Sequence, residues 1–242
     1  TILWATATCT EMLSEHDLIP FEPSSLPPGP WLIFAPHPDD EVFGMGGSIA
    51  LASDQGIRVE VVVMTGGEGA GDPDIRREES RKAGRILGIS RHYFMSFPDG
   101  RIADCDLYLT DFEPILTRLN PKTVFLPGLQ EFHPDHRSTT KMMKLVLERL
   151  GYENTVWLYE ITRQNEANRL VDITPVADNK IQAIQCHTSQ LEQIDYQHIV
   201  IGLNQARSFT LGKDIFYAEG YFSIQNISNI YVSINEAIQR YL

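Results

Sequence analysis

The sequence predicts a single α/β domain built on a mostly parallel sheet with helices on both faces. Three observations carry that prediction. Short apolar runs of strand length recur along the chain. Helix-length stretches lie between them, and several stop at a glycine suited to end a helix. Strand and helix alternate at least four times, which is the pattern of βαβ units and hence of a parallel sheet.

The elements follow in order. Trp31 to Ala35 is an unbroken apolar run, as expected of a strand buried on both faces. Glu41 to Gln55 reads as a helix closed by Gly56. Arg58 to Thr65 carries Val59, Val61, Val62 and Val63 and reads as the second strand. Asp74 to Leu87 is a helix closed by Gly88, followed by a strand at His92 to Met95. Leu107 to Leu119 is a helix that stops before Asn120 and Pro121. Thr123 to Leu126 is a strand, Arg137 to Leu150 a helix closed by Gly151, and Thr155 to Glu160 a strand. The last third is less regular: Pro175 to Gln190 and Glu192 to Phe209 read as helices, and Tyr221 to Ile224 as a strand. Residues 22–30 form one Pro-dense linker, which sets residues 1–30 apart as an N-terminal arm from a domain of residues 31–242. No internal repeat or second linker divides that domain.

Composition excludes several classes. At 242 residues, with 43% hydrophobic and 21% charged side chains, the chain can bury a core without staples, so whole-chain disorder, collagen and coiled coil are excluded. The net charge is −12, from 20 basic and 32 acidic residues. Such a surface repels phosphate backbones and anionic lipid, so neither a nucleic-acid nor a membrane partner is expected. Cys9, Cys105 and Cys186 are odd in number and far apart, which argues against a disulfide framework and a thiolate zinc site. No run of about 18 apolar residues is present. The apolar start from Thr1 to Leu13 lacks a basic region and a small-residue cleavage site, so no signal peptide and a cytoplasmic location are expected. Oligomeric state is not legible.

In open parallel sheets, sites form beyond the carboxyl ends of the strands. After the first strand come Pro36, His37, Pro38, Asp39, Asp40 and Glu41. After the fourth come Phe132, His133, Pro134, Asp135, His136 and Arg137. If those strands are neighbours, the two clusters face one another. Two imidazoles and one carboxylate around a cation with an open position is a catalytic zinc arrangement. The remaining Asp would serve as a base toward water. The spacing does not say which Asp does which. Taken singly, each His is more often a hydrogen-bonded structural residue, and Asp39 or Asp40 a helix N-cap. Two such clusters at predicted strand ends outweigh that reading. Non-haem Fe(II) sites use the same donors, so the metal stays open between Zn2+ and another divalent ion such as Fe2+.

The run from Ala35 to Glu41 resembles the signature of the PIG-L/LmbE-like de-N-acetylases, zinc enzymes acting on N-acetylglucosamine-type sugars. Gly46 and Gly47, Thr65 to Glu68, Arg76 to Glu79, Ala83, Leu87 with Gly88, and Pro98 to Gly100 are similar to that family's further landmarks. So are His133 to His136, Asp172 to Thr174, Lys180, Ala183 and His187 to Gln190. The resemblance spans about residues 31 to 222. It implies a Rossmann-like, LmbE-like fold, with His37, Asp40 and His136 as zinc ligands and Asp39 as general base. It also implies His133 as the group facing the developing oxyanion, and Arg76 and Asp99 as residues that hold the sugar.

Other features weigh less. Glu68, in the Gly66 to Gly71 loop, either touches substrate or faces solvent. Gly44 to Gly47 lacks nucleotide-loop spacing and reads as close helix packing. Arg77, Arg81 and Arg85 share a solvated helix face, with Glu78 set to pair with Lys82. His187 reads as supporting or structural.

The expected activity is removal of an N-acetyl group from a soluble N-acetylglucosamine-type sugar or glycoside, with release of acetate. One rival is a non-haem Fe(II) oxygenase, which an alternating α/β pattern disfavours because such sites usually sit on all-β barrels. Another is a sugar-binding or scaffold protein with a vestigial site, which the full set of catalytic residue types disfavours.

Overall fold

The computed structural model describes residues 13–105 and 109–240. Cys9, most of the apolar start and the first residues of the helix expected from Leu107 lie outside them. The strands are β1 (Trp31–Ala35), β2 (Val59–Thr65), β3 (Arg91–Phe97), β4 (Thr123–Pro127), β5 (Thr155–Tyr159), β6 (Arg169–Asp172) and β7 (Ala218–Ile224). The helices are α1 (Glu15–Leu18), α2 (Asp40–Asp54), α3 (Pro73–Leu87), α4 (Leu109–Leu119) and α5 (Pro134–Arg149). They continue with α6 (Ala177–Ile184), α7 (Thr188–Leu191), α8 (Tyr196–Arg207) and α9 (Ile230–Gln239).

The seven strands form one sheet in the order β3-β2-β1-β4-β5-β7-β6. The first five run parallel, and β7 is antiparallel to both β5 and β6. Alternating residues of each strand feed two cores. Trp31, Ile33 and Ala35 pack with α2, α3, α6 and α8. Leu32 and Phe34 pack with α4, α5 and α9 on the opposite face. Every residue of β1 and β2 is buried, which is why β1 reads as an unbroken apolar run and β2 as a valine-rich one interrupted by Glu60. Among the described residues, no helix is long and apolar enough to cross a membrane.

Several expected boundaries shift. The helix expected from Arg137 starts at Pro134, because Pro suits the first helical position and His133 Nδ1 accepts the Asp135 N–H as cap. The helix expected over residues 175–190 breaks between α6 and α7. Glu78 pairs with Arg81 and Arg85 instead of Lys82. The Pro-dense segment lies against the body of the domain. Its prolines cannot donate, but the carbonyls of Pro27, Pro28 and Pro30 accept from the Trp31 indole, the Thr123 hydroxyl and Lys122, as that of Pro20 just before it does from Thr210.

Helix α2 carries a kink at Met45 (φ −145°, ψ 23°). The amides of Gly47 and Ser48 beyond it donate to the buried Glu219 carboxylate of β7, which Lys180 pairs at 2.7 Å. These distant side chains satisfy the N–H groups that the break exposes. Before the kink, Gly44 lies so close to β5 that a Cβ there would stand 2.5 Å from the Tyr159 ring. The first turn of α2 is thereby seated beside the end of β1.

Candidate active site

The strand order reverses between β1 and β4, so the crevice beyond their carboxyl ends is the topological switch point of the sheet. His37 leaves β1 into that crevice. His133 and His136 enter it from beyond β4, with His133 outside the helix and His136 in the first turn of α5. A cavity of about 540 Å³ opens there, lined by His37, Asp39, Asp40, Asp99, His133 and His136 among others.

Asp40 Oδ2 lies 3.1 Å from His37 Nδ1 and 3.3 Å from His136 Nε2. All three side chains are at most 10% exposed. Ligands held about 2.1 Å from a tetrahedral cation stand about 3.4 Å apart, and both Asp40–imidazole distances fall near that value. Two groups bring three ligand atoms within 4.8 Å of one another: His37, His133 and His136, and His37, Asp99 and Asp135. Backbone hydrogen bonds reach atoms of every one of these sets, including Asp40 Oδ2, which accepts the His37 N–H at 2.9 Å. His133 Nδ1 accepts a backbone N–H, and Asp135 accepts from Gly100 and Ile102.

Carboxylates face both imidazoles. His37 Nε2 lies 3.0 Å from Asp99 Oδ1 and 3.4 Å from Asp135 Oδ2. A partner such as Asp99 sets which ring nitrogen keeps the proton and leaves the other for a cation. His136 Nδ1 faces Glu131 Oε2 at 3.6 Å, outside hydrogen-bond range, and has no hydrogen-bond partner among the described residues. Glu131 is itself held by Ile161, Thr162 and Asn165.

Burial opposes charge on His37 and His136, but their carboxylate neighbours overrule it. His37 rises well above its ordinary value, and His136 rises to about 9. Burial would likewise raise Asp40, but the two imidazoles outweigh it and hold its carboxyl far below the usual range. Asp39 goes the other way: burial, then the charge of Asp40, push it to about 7, against the pull of Arg76 and His37. Neighbouring carboxylates whose values are driven apart suit two different roles.

Asp39 occupies the N-cap position of α2, yet its side chain makes no cap hydrogen bond. Its Oδ2 accepts from Arg76 Nη2 at 3.0 Å, while Arg76 Nη1 donates to the Gly67 carbonyl at 2.7 Å. Gly67 has φ +66°, and a Cβ there would stand 2.2 Å from Arg76 Nη1, so only glycine admits the guanidinium. The ring of His133 stands edge-on to His37, with centroids 4.7 Å apart. Burial and the two neighbouring imidazoles lower its pKa.

All five residues expected to act or ligate, His37, Asp39, Asp40, His133 and His136, thus line one cavity, as do Arg76 and Asp99. Asp99 is tied to His37 and to the Gly69 N–H at 2.8 Å. Glu68 does not line the cavity; its carboxylate accepts the Asp99 N–H. Asp135 and Glu131 went unassigned in the sequence. Asp135 stands inside the HPDH run, which was a signal; Glu131 had none beyond its place after β4. His187 is fully buried with its ring edge against Phe43, and neither ring nitrogen has a hydrogen-bond partner among the described residues.

Fold and site together define a doubly wound α/β protein with a two-histidine, one-carboxylate candidate metal centre at its switch point. Comparison with known proteins places it further. The profile of the PIG-L family, described as GlcNAc-PI de-N-acetylase, matches residues 32–147. A Bacillus subtilis protein named probable N-acetyl-alpha-D-glucosaminyl L-malate deacetylase 2 is 31% identical over 66% of this chain and 83% of its own length. The N,N'-diacetylchitobiose deacetylase structure from Pyrococcus horikoshii superposes with a TM-score of 0.71 at 27% identity, covering 81% of this chain and 84% of that one. The 4-oxalmesaconate hydratase of Pseudomonas putida is 28% identical over 80% of this chain and 88% of its own. This chain belongs to the PIG-L family.

Proposed function

We propose that this protein is a metal-dependent hydrolase that removes the N-acetyl group from an N-acetylglucosamine-type sugar or glycoside and releases acetate. The observation that carries the reading is Asp40 set between two imidazole nitrogens, with Asp39 beside it released from capping. His37, Asp40 and His136 hold a divalent cation, with Zn2+ the assignment and Fe2+ the alternative for the same donors. The bound cation supplies Lewis-acid polarisation of the acetyl carbonyl and lowers the pKa of water in the site. Asp39 takes a proton from the attacking water at Oδ1, the oxygen that Arg76 does not hold. A pKa of about 7 lets it accept that proton and return it to the leaving nitrogen. His133 is neutral there. Its Nδ1 accepts the Asp135 N–H, so Nε2 carries the proton and donates to the developing oxyanion. Arg76 positions Asp39, Asp99 positions His37, and both also reach the sugar from the cavity wall. Glu68 acts through Asp99.

The hydratase relative makes the choice of substrate decisive. The test is acetate and free amine release from N-acetylglucosamine, its methyl glycoside and N,N'-diacetylchitobiose by the Zn2+-loaded protein. Stoichiometric acetate and amine are expected. Metal-loaded protein that releases acetate from none of them overturns the reading.

A further inference from the structure

The cavity lining is of two kinds. One is the set of histidines and carboxylates described above. The other is apolar: Phe43 of α2, Ile161 after β5, Ile194, and Tyr196, Ile199 and Val200 of α8. Tyr196 stacks on Phe43 with ring centroids 5.2 Å apart. Phe43, Ile161 and Val200 are buried, whereas Ile194 is 46% and Ile199 45% exposed. Exposed isoleucines continuous with a buried apolar wall, inside the cavity that holds the chemistry, mark where a ligand removes apolar surface from water.

The charges of the cavity point the same way. The lining carries three carboxylates, Asp39, Asp40 and Asp99, of which Asp40 is assigned to the cation, against one guanidinium, Arg76, which is already paired with Asp39. Arg163 stands beyond the wall, its guanidinium over the Phe132 ring at 5.2 Å. No unpaired Lys or Arg among the described residues lines the cavity to meet a carboxylate or phosphate on the far side of the sugar.

We infer that the substrate is an N-acetylglucosamine-type glycoside whose aglycone is apolar, an alkyl or aryl group seated on the wall of Phe43, Ile194, Tyr196 and Ile199. This rests on the deacetylase reading for the reaction, though not for the wall itself. Two measurements on the Zn2+-loaded protein separate them. Acetate release from N-acetylglucosamine and its methyl, butyl and hexyl glycosides, and from a carboxymethyl glycoside, reads the reaction. Calorimetry with methyl, butyl and hexyl glucosides, which have no amide to cleave, reads the wall.

Each methylene buried on the wall is expected to raise kcat/KM, and affinity for the glucosides, up to about fourfold. The carboxymethyl glycoside is expected to fall below the methyl one. In an Ile194→Ser/Ile199→Ser variant the rise with chain length should flatten in both measurements. Glucoside affinities that do not rise with chain length overturn the inference, whether or not acetate is released. So does a preference for the carboxymethyl glycoside, or a rise that persists unchanged in the variant. Rising affinity without acetate from any amide supports the wall and removes the proposed reaction instead.

Discussion

Arg76 reaches Asp39 across 3.0 Å from a helix 37 positions further along the chain, and this pair separates the two adjacent aspartates of the site. Asp40 faces the imidazoles, and Asp39 faces a guanidinium. Removing that cation removes an influence that lowers the Asp39 pKa from a value already near 7. As a base, Asp39 works when deprotonated, so activity rises as pH climbs through its pKa. In Arg76→Ala the acid limb of the pH–rate profile should therefore move to higher pH. A limb unmoved in position would remove the pair from the mechanism.

Asp39→Asn should separate chemistry from metal binding. The amide keeps the size of the side chain but accepts no proton. The rate should fall about 10²-fold or more while bound zinc, measured by elemental analysis, stays at the parental level. Simultaneous loss of metal would exchange the roles of Asp39 and Asp40.

His136→Ala should lower bound metal markedly, because a centre with three protein ligands has none to spare. Glu131→Gln, which keeps the shape but removes the carboxylate charge facing His136 Nδ1, should lower metal affinity about 10- to 100-fold. Equilibrium dialysis against a zinc buffer measures both. Full occupancy in His136→Ala would show the ligand set to be wrong.

His133→Ala should cost about 10²- to 10³-fold in rate at unchanged metal content, the usual scale for an oxyanion donor. Burial and the imidazoles of His37 and His136 lower the His133 pKa, which disfavours the charged ring.

His187 predicts a pH-dependent stability. Burial depresses its pKa from 6.5 to about 4, so the folded state holds it neutral while the unfolded chain protonates it. The unfolded state thus binds more protons at acidic pH. The stability from this group is present above pH 6.5 and is lost as pH falls toward 4. Between pH 7 and 5 the loss is about 2 kcal/mol. His187→Leu forfeits no hydrogen bond recorded for the ring and should shrink that drop by a similar amount in urea melts. An equal drop in both proteins would mean the imidazole is solvated or paired.

The central parallel strands were legible because burial on both faces leaves them largely apolar, as in β1, β4 and β5. β6 was not: Arg169 to Asp172 is four residues long with polar ends, and its place at the sheet edge depends on pairing with β7. Helix α9 also escaped notice, since its apolar residues Ile230 and Ile234 gain meaning only from the α4–α5 core they join. Pro134 hid the first turn of α5, reading as a boundary where it is the first helical residue.

The sequence by itself determined which chemistry was at hand. His37 with Asp40, and His133 with His136, stand three positions apart, and local backbone geometry makes such neighbours converge. Tertiary structure alone decided which atoms each of them faces. His37 meets Asp99 from 62 positions away because β3, which leads to Asp99, runs parallel to β1 one strand away across β2, so loops distant in the chain close over one crevice. In that crevice burial and neighbouring charge drive Asp39 and Asp40 in opposite directions. That difference between two identical adjacent side chains is a property of their surroundings, and the surroundings exist only in the folded chain.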